Sequence, residues 1–145
     1  MPDKSRLQRQ IEASLRRLID RFTAYAATAQ RPDHRELLAG TFVYLLDEDD
    51  LVPDQIPNIG YLDDLMLFLA VTPHLTEAGQ ANPVLSRAEL EQELAFVEKH
   101  KAMLFTRVDP SIDRIRQKGR EAVDRLADLC HQISERYSHL GREEP

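Results

Sequence analysis

The stretch Tyr44-Leu45-Leu46-Asp47-Glu48-Asp49-Asp50-Leu51-Val52-Pro53-Asp54-Gln55-Ile56-Pro57-Asn58-Ile59-Gly60-Tyr61-Leu62-Asp63-Asp64 decides how the rest of the chain is read. It leaves an apolar run, crosses an acidic segment punctuated by prolines, and enters a second apolar run. Pro53 and Pro57 fix φ and cannot donate hydrogen bonds, which predicts a stiff turn and not a helix. Leu51, Val52, Ile56 and Ile59 can face inward and anchor that turn. Gly60 permits a positive φ just before a helix beginning near Tyr61. Asp63 and Asp64 then fall in that helix's first turn, where free N–H groups and the macrodipole favour negative charge. Asp50 and Asp54 can accept hydrogen bonds from backbone N–H groups a few residues on.

Outward from this segment the chain reads as helices, with no convincing alternating strand pattern. Upstream, Leu7, Ile11, Leu15, Leu18, Phe22 and Ala26 form an apolar stripe over about Ser5 to Ala29. Arg9, Arg16, Arg17 and Arg21 lie largely outside it, and Arg31-Pro32 ends the helix. A second helix is expected from Asp33, with Glu36 three residues on as an acidic variant of the capping box. Its run Leu37, Leu38, Phe42 to Leu46 is apolar on most sides, which predicts the most buried helix. Downstream, Thr72-Pro73 should break or kink the third helix, with Thr72 able to cap a short continuation towards Gly79.

Gln80 to Leu85 reads as a linker. Ser86 with Glu89 is a capping box for a fourth helix, whose inward stripe is Leu90, Leu94, Val97 and Leu104. Lys101 interrupts the stripe, so the last turn should swing outward. Asp109-Pro110 marks the start of a fifth helix carrying Ile112, Ile115, Gly119, Val123, Leu126, Cys130, Ile133, Tyr137 and Leu140, with Gly141 as its stop. The short connections favour antiparallel neighbours. The fold expected is all-α: a compact bundle of about five helices over residues 1–145 as a single domain, its two central helices joined by the Pro-rich acidic loop.

Charge is unevenly spread along the 145 residues. The chain nets −6, yet residues 47–64 alone carry seven acids and no base. Residues 1–46 net +3 and residues 65–145 net −2. A pI near 5.4 argues against general binding to nucleic-acid phosphates, which requires clustered Lys and Arg. The longest apolar run, Leu65 to Val71, is seven residues, well short of the ~20 that span a bilayer. The first residues lack the apolar core of a signal peptide, and the single Cys cannot form an intrachain disulfide. A soluble, cytoplasmic protein is the expectation.

The pattern Asp50-Leu-Val-Pro53-Asp54-x-Ile56-Pro57-x-Ile59-Gly60-Tyr-Leu-Asp63-Asp64, preceded by Tyr44-Leu-Leu, resembles the signature of the YkvA-like proteins, the domain of unknown function 1232. The resemblance covers roughly residues 37–72. It implies a small helical module, mostly bacterial, without an established activity, and supplies no catalytic residues. Many relatives are more apolar around the motif and are thought to be membrane-associated. This chain instead places Asp47-Glu48-Asp49 where the family usually has a Ser-Pro or similar pair and an apolar residue. Peripheral membrane association is an alternative, but the apolar faces of the long, amphipathic first and fifth helices are expected to pack on the central helices.

The acidic loop supports three readings. In the first, its Asp residues cap and staple a tight turn between buried helices, an Asp cap contributing about 1 kcal/mol over Ala. In the second, Asp50, Asp54, Asp63 and Asp64 converge as oxygen ligands for Mg²⁺ or Ca²⁺, although the spacing is not that of an EF-hand. Catalysis would then rest on Asp63 and Asp64 with a bound metal. In the third, the loop docks on a basic face of an unknown protein partner, or on Arg9, Arg16, Arg17 and Arg21 of a second copy.

Other candidates have plainer explanations. Asp128, His131, Glu135 and His139 lie mostly on the solvent side of the fifth helix, opposite a stripe that includes Cys130. Arg114, Lys118 and Arg125 read as a charged outer face. His34 and His74 have no Ser or Cys partner at a recognisable spacing. No Gly-x-Ser-x-Gly, phosphate-binding Gly-rich loop, His-Glu-x-x-His or Cys-x-x-Cys occurs. A non-catalytic interaction or structural module is the function expected.

Overall fold

The computed structural model describes residues 6–46, 57–77, 79–100 and 112–138. Among the described residues six α-helices appear in order: α1 Arg6–Thr28, α2 Pro32–Leu46, α3 Pro57–Val71, α4 Arg87–His100, α5 Ile112–Ala122 and α6 Leu126–Arg136. Short 3₁₀ turns at Thr72–Leu75 and Val123–Arg125 follow α3 and α5. Among the described residues there is no strand. The all-α bundle is as expected, and α5 with α6 replaces the single fifth helix. The 3₁₀ turn between them re-aims the chain: α5 lies along α2, while α6 packs on both α2 and α1.

The α1 stripe is buried as its spacing requires, with Ile11, Leu15, Leu18, Phe22 and Ala26 all inside. Phe22 meets Phe68 of α3 edge-on, with ring centroids 4.6 Å apart and planes at 74°. That geometry sets the positive ring edge against the negative face. Helix α2 is buried at every position from Leu37 to Phe42, a full turn and more, so no direction around it faces water.

The approach of α5 to α2 depends on two glycines. A Cβ built on Gly40 would overlap the Ile115 carbonyl, and one on Gly119 would overlap the Glu36 carbonyl. The pairs 36 with 119 and 40 with 115 run in opposite directions, so the two helices are antiparallel. Their backbones meet where side chains ordinarily keep helices 8–10 Å apart. Arg120 extends the contact with an ion pair to Glu36 at 3.4 Å.

Several helix ends differ from the sequence expectation. The Arg31 carbonyl accepts from the Arg35 N–H at 3.0 Å, so α2 begins at Pro32 and Asp33 sits inside its first turn instead of capping it. Proline suits this first position because its missing N–H would be unpaired there anyway. The same logic applies to α3, which starts at Pro57 and not near Tyr61. Gly60 is therefore helical, and the positive φ belongs to Gly79 at 78°. Asp63 and Asp64 fall in the second turn of α3, beyond the reach of the terminal N–H groups.

The third helix ends at Val71 before Thr72-Pro73, as expected, but the Thr72 hydroxyl turns back to the Phe68 carbonyl at 2.7 Å and caps nothing. The Ser86–Glu89 capping box forms in full. Glu89 N–H donates to Ser86 Oγ at 3.1 Å, and Ser86 N–H donates to Glu89 Oε1 at 3.0 Å. In α4 the inward face is shifted. Leu94 is 45% exposed, while Glu93 is 6% exposed. Cys130 is half-buried against the core. Leu104, Lys101, His139, Leu140 and Gly141 lie outside the described residues.

Candidate functional site

At the second turn of α3, three elements are tied by one chain of hydrogen bonds. The hydroxyl of Tyr137, the buried residue closing α6, donates to Asp64 Oδ2 at 2.8 Å. The backbone carbonyl of the same Tyr137 accepts from Arg16 Nη1 at 3.4 Å, with the Ser138 carbonyl at 3.5 Å from the same nitrogen. A cation is thus placed at the C-terminal end of α6, where orphan carbonyls carry partial negative charge. Asp64 belongs to α3, Tyr137 closes α6 and Arg16 comes from α1, so three helices are joined at this point.

Of the four carboxylates proposed as cation ligands, Asp50 and Asp54 lie outside the described residues. The backbone of Asp63 lies in α3, and the half-buried Asp64 carboxylate is engaged by Tyr137. Among the described residues no group of three or more His, Cys, Asp or Glu is arranged to hold a metal ion.

Three of the basic residues of α1, Arg16, Arg17 and Arg21, are bound internally. Arg17 Nη1 lies 3.1 Å from Glu93 Oε1, an oxygen that also accepts from Ser14 Oγ at 3.2 Å. Arg21 donates to the Val84 carbonyl at 2.9 Å and pairs with Glu89 at 3.1 Å. The capping box and this guanidinium together hold the Glu89 carboxyl well down, at about 2. Arg16 pairs with Asp20 at 3.4 Å besides its α6 contacts.

At the start of α2 lies a polar corner with no counterpart in the sequence reading. His34 is 2% exposed, and its Nδ1 lies 2.6 Å from the Tyr25 hydroxyl. Burial, reinforced by Glu77, raises the Tyr25 pKa, so the phenol keeps its proton beside the imidazole. Arg31 covers this corner, gripping Asp33 through two 3.0 Å contacts and Glu77 at 3.3 Å. Arg31 pulls the Asp33 carboxyl below its ordinary range. The signal missed was distance along the chain: Tyr25 and His34 are separated by the α1–α2 turn and share no helical periodicity.

The outer face of α6 is solvated as expected. His131 and Glu135 pair at 3.0 Å with both side chains 71% exposed, and Gln132 donates to Asp128. No helix among the described residues is long and apolar enough to cross a membrane. The apolar faces of α1 and α6 point into the bundle.

No curated protein and no solved structure matches the chain. A family model described as "Protein of unknown function (DUF1232)" matches residues 35–70, 36 of the chain's 145. The matched stretch runs from the first turn of α2 to Ala70, the last residue but one of α3, and so contains both helices that flank the acidic segment. The motif and the helix pair around it are consistent with assignment of this chain to the DUF1232, or YkvA-like, family.

Proposed function

We propose that the chain is a non-catalytic helical interaction module that recruits a basic partner through the acidic segment joining α2 to α3. Seven acids without a base in residues 47–64 form a local field far stronger than the net charge of the chain suggests. Helices buried as deeply as α2 supply the rigid mount that precise docking needs.

The observation that carries this reading is the internal engagement of α1. Arg16, Arg17 and Arg21 pair with Asp20, Glu93 and Glu89 of their own chain. A second copy offering Arg16, Arg17 and Arg21 would have to break those contacts and would keep Arg9 alone of that face, so a separate basic partner is favoured over self-association. The cation reading is disfavoured by a related fact: Asp64 already holds the Tyr137 hydroxyl.

The test is fluorescence anisotropy with a labelled oligo-arginine peptide. The combined change Asp47→Asn, Glu48→Gln, Asp49→Asn and Asp50→Asn should weaken binding at least about tenfold at low salt. Its melting temperature should stay near that of the parent. Equal affinity of parent and variant would refute the docking role. Should millimolar Mg²⁺ or Ca²⁺ raise the parent's melting temperature but not the variant's, the cation reading would replace it.

A further inference from the structure

Helix α4 differs from the other helices in how it is held. It packs along α3 and lies outside the family-matched stretch. Val97 is its one buried apolar side chain among the described residues, with Leu90 and Phe96 half-buried. Its inward face is occupied at the centre by Glu93, whose Oε1 takes both Arg17 and Ser14 while its buried Oε2 has no donor beside it. A carboxylate oxygen removed from water without a partner works against docking, and lifting the helix would rehydrate it. Ties to α1 include two long polar pairs, Arg17 to Glu93 and Arg21 to Glu89.

The root of α4 is fixed, by contrast. Val84 and Leu85 are buried. Asn82 Oδ1 accepts from both of their N–H groups at 2.8 and 3.0 Å, and its Nδ2 donates to the Thr72 carbonyl at 2.8 Å. A fixed root followed by a weakly seated helix is the arrangement of a strap. The helix packs along α3, whose Leu65, Leu67, Leu69 and Val71 are buried, while Phe68 packs on Phe22 of α1.

We infer that α4 is a releasable strap, latched to α1 by Arg17–Glu93 and Arg21–Glu89, that pivots about Ser86 to uncover an apolar flank of α3. Such an element opens below the free energy of global unfolding, and opening becomes easier as salt screens the latch.

Hydrogen–deuterium exchange of the full chain tests this. Amides of Glu91 to Val97 should exchange at least about tenfold faster than those of Leu37 to Phe42, which open only with the core. Raising the salt concentration should accelerate exchange in α4 several-fold and leave α2 unchanged. Arg17→Met should speed α4 exchange several-fold at low salt and flatten its salt response, because one latch is gone while the aliphatic stem remains. The inference is overturned if α4 and α2 exchange together at every salt concentration, or if Arg17→Met exchanges in α4 no faster than the parent. Should that variant not fold, the salt series on the parent chain decides alone.

Discussion

Gly40 of α2 and Ile115 of α5 meet backbone against backbone, with no room for a methyl group between them. Gly119 repeats the contact one turn away against Glu36. In an exposed helix Gly→Ala stabilises by about 1 kcal/mol through propensity alone. At these two positions the sign should reverse. The obstructing atoms are carbonyls in a helix backbone, which cannot rotate aside, so α5 would have to move off α2. Gly40→Ala and Gly119→Ala should each cost about 3 kcal/mol or more in urea denaturation. A change of under about 1 kcal/mol in either would show that the crossing is looser than described.

Which of these features could be read from the sequence follows from how local each one is. The α1 stripe, the α2 run apolar on most sides, the break at Thr72-Pro73 and the Ser86–Glu89 box all rest on residues within one or two turns of each other, and all appear in the structure. The start of α3 was misplaced because proline signals both a stiff turn and a first helical residue, and only the context of α3 decides between them. The exposure of Leu94 and burial of Glu93 depend on Arg17, 76 residues away, which no periodicity reports. Gly40 and Gly119 were visible as residues, but their meaning lies in the crossing of two helices. Of the candidate cation ligands, Asp50 and Asp54 fall outside the described residues, as does the Asp63 side chain.

Tyr137→Phe isolates the hydrogen bond that ties α6 to α3. The ring keeps its packing, and the Asp64 carboxylate loses the Tyr137 hydroxyl as a donor. A hydrogen bond to a charged group contributes about 1.5–3 kcal/mol, less where water can substitute, as it can at the half-buried Asp64. A loss of about 1–2 kcal/mol with unchanged denaturant slope is expected. Stability equal to the parent's would mean that water replaces the hydroxyl without cost.

Glu89 supplies a pH dependence with a definite sign. Its carboxyl lies at about 2 in the folded chain against an ordinary 4.5, held down by the Ser86 N–H and then by Arg21. A depressed folded pKa contributes stability that is fully present above the unfolded value and is lost as pH falls towards the folded one. The gap in melting temperature between the parent and Glu89→Gln should therefore be widest above pH 4.5 and close towards about pH 2. A gap that is constant across this range would assign the effect to the shape of the side chain and not to its charge.

Cys130 reports on the seating of α6. It is half-buried against the core, and burial pushes its thiol up from the ordinary 9.0. Thiolate is the reactive form, so both access and ionisation slow its chemistry. With a colourimetric disulfide reagent near neutral pH, the folded chain should react at least about tenfold more slowly than the same chain in denaturant. Rapid labelling of the folded chain would mean that α6 opens locally from α2 and α1 on the timescale of the reaction. Combining this with Tyr137→Phe separates the two causes. If the Tyr137–Asp64 bond holds α6 in place, the variant should label faster under native conditions, whereas a thiol slowed by ionisation alone should label at the parent's rate.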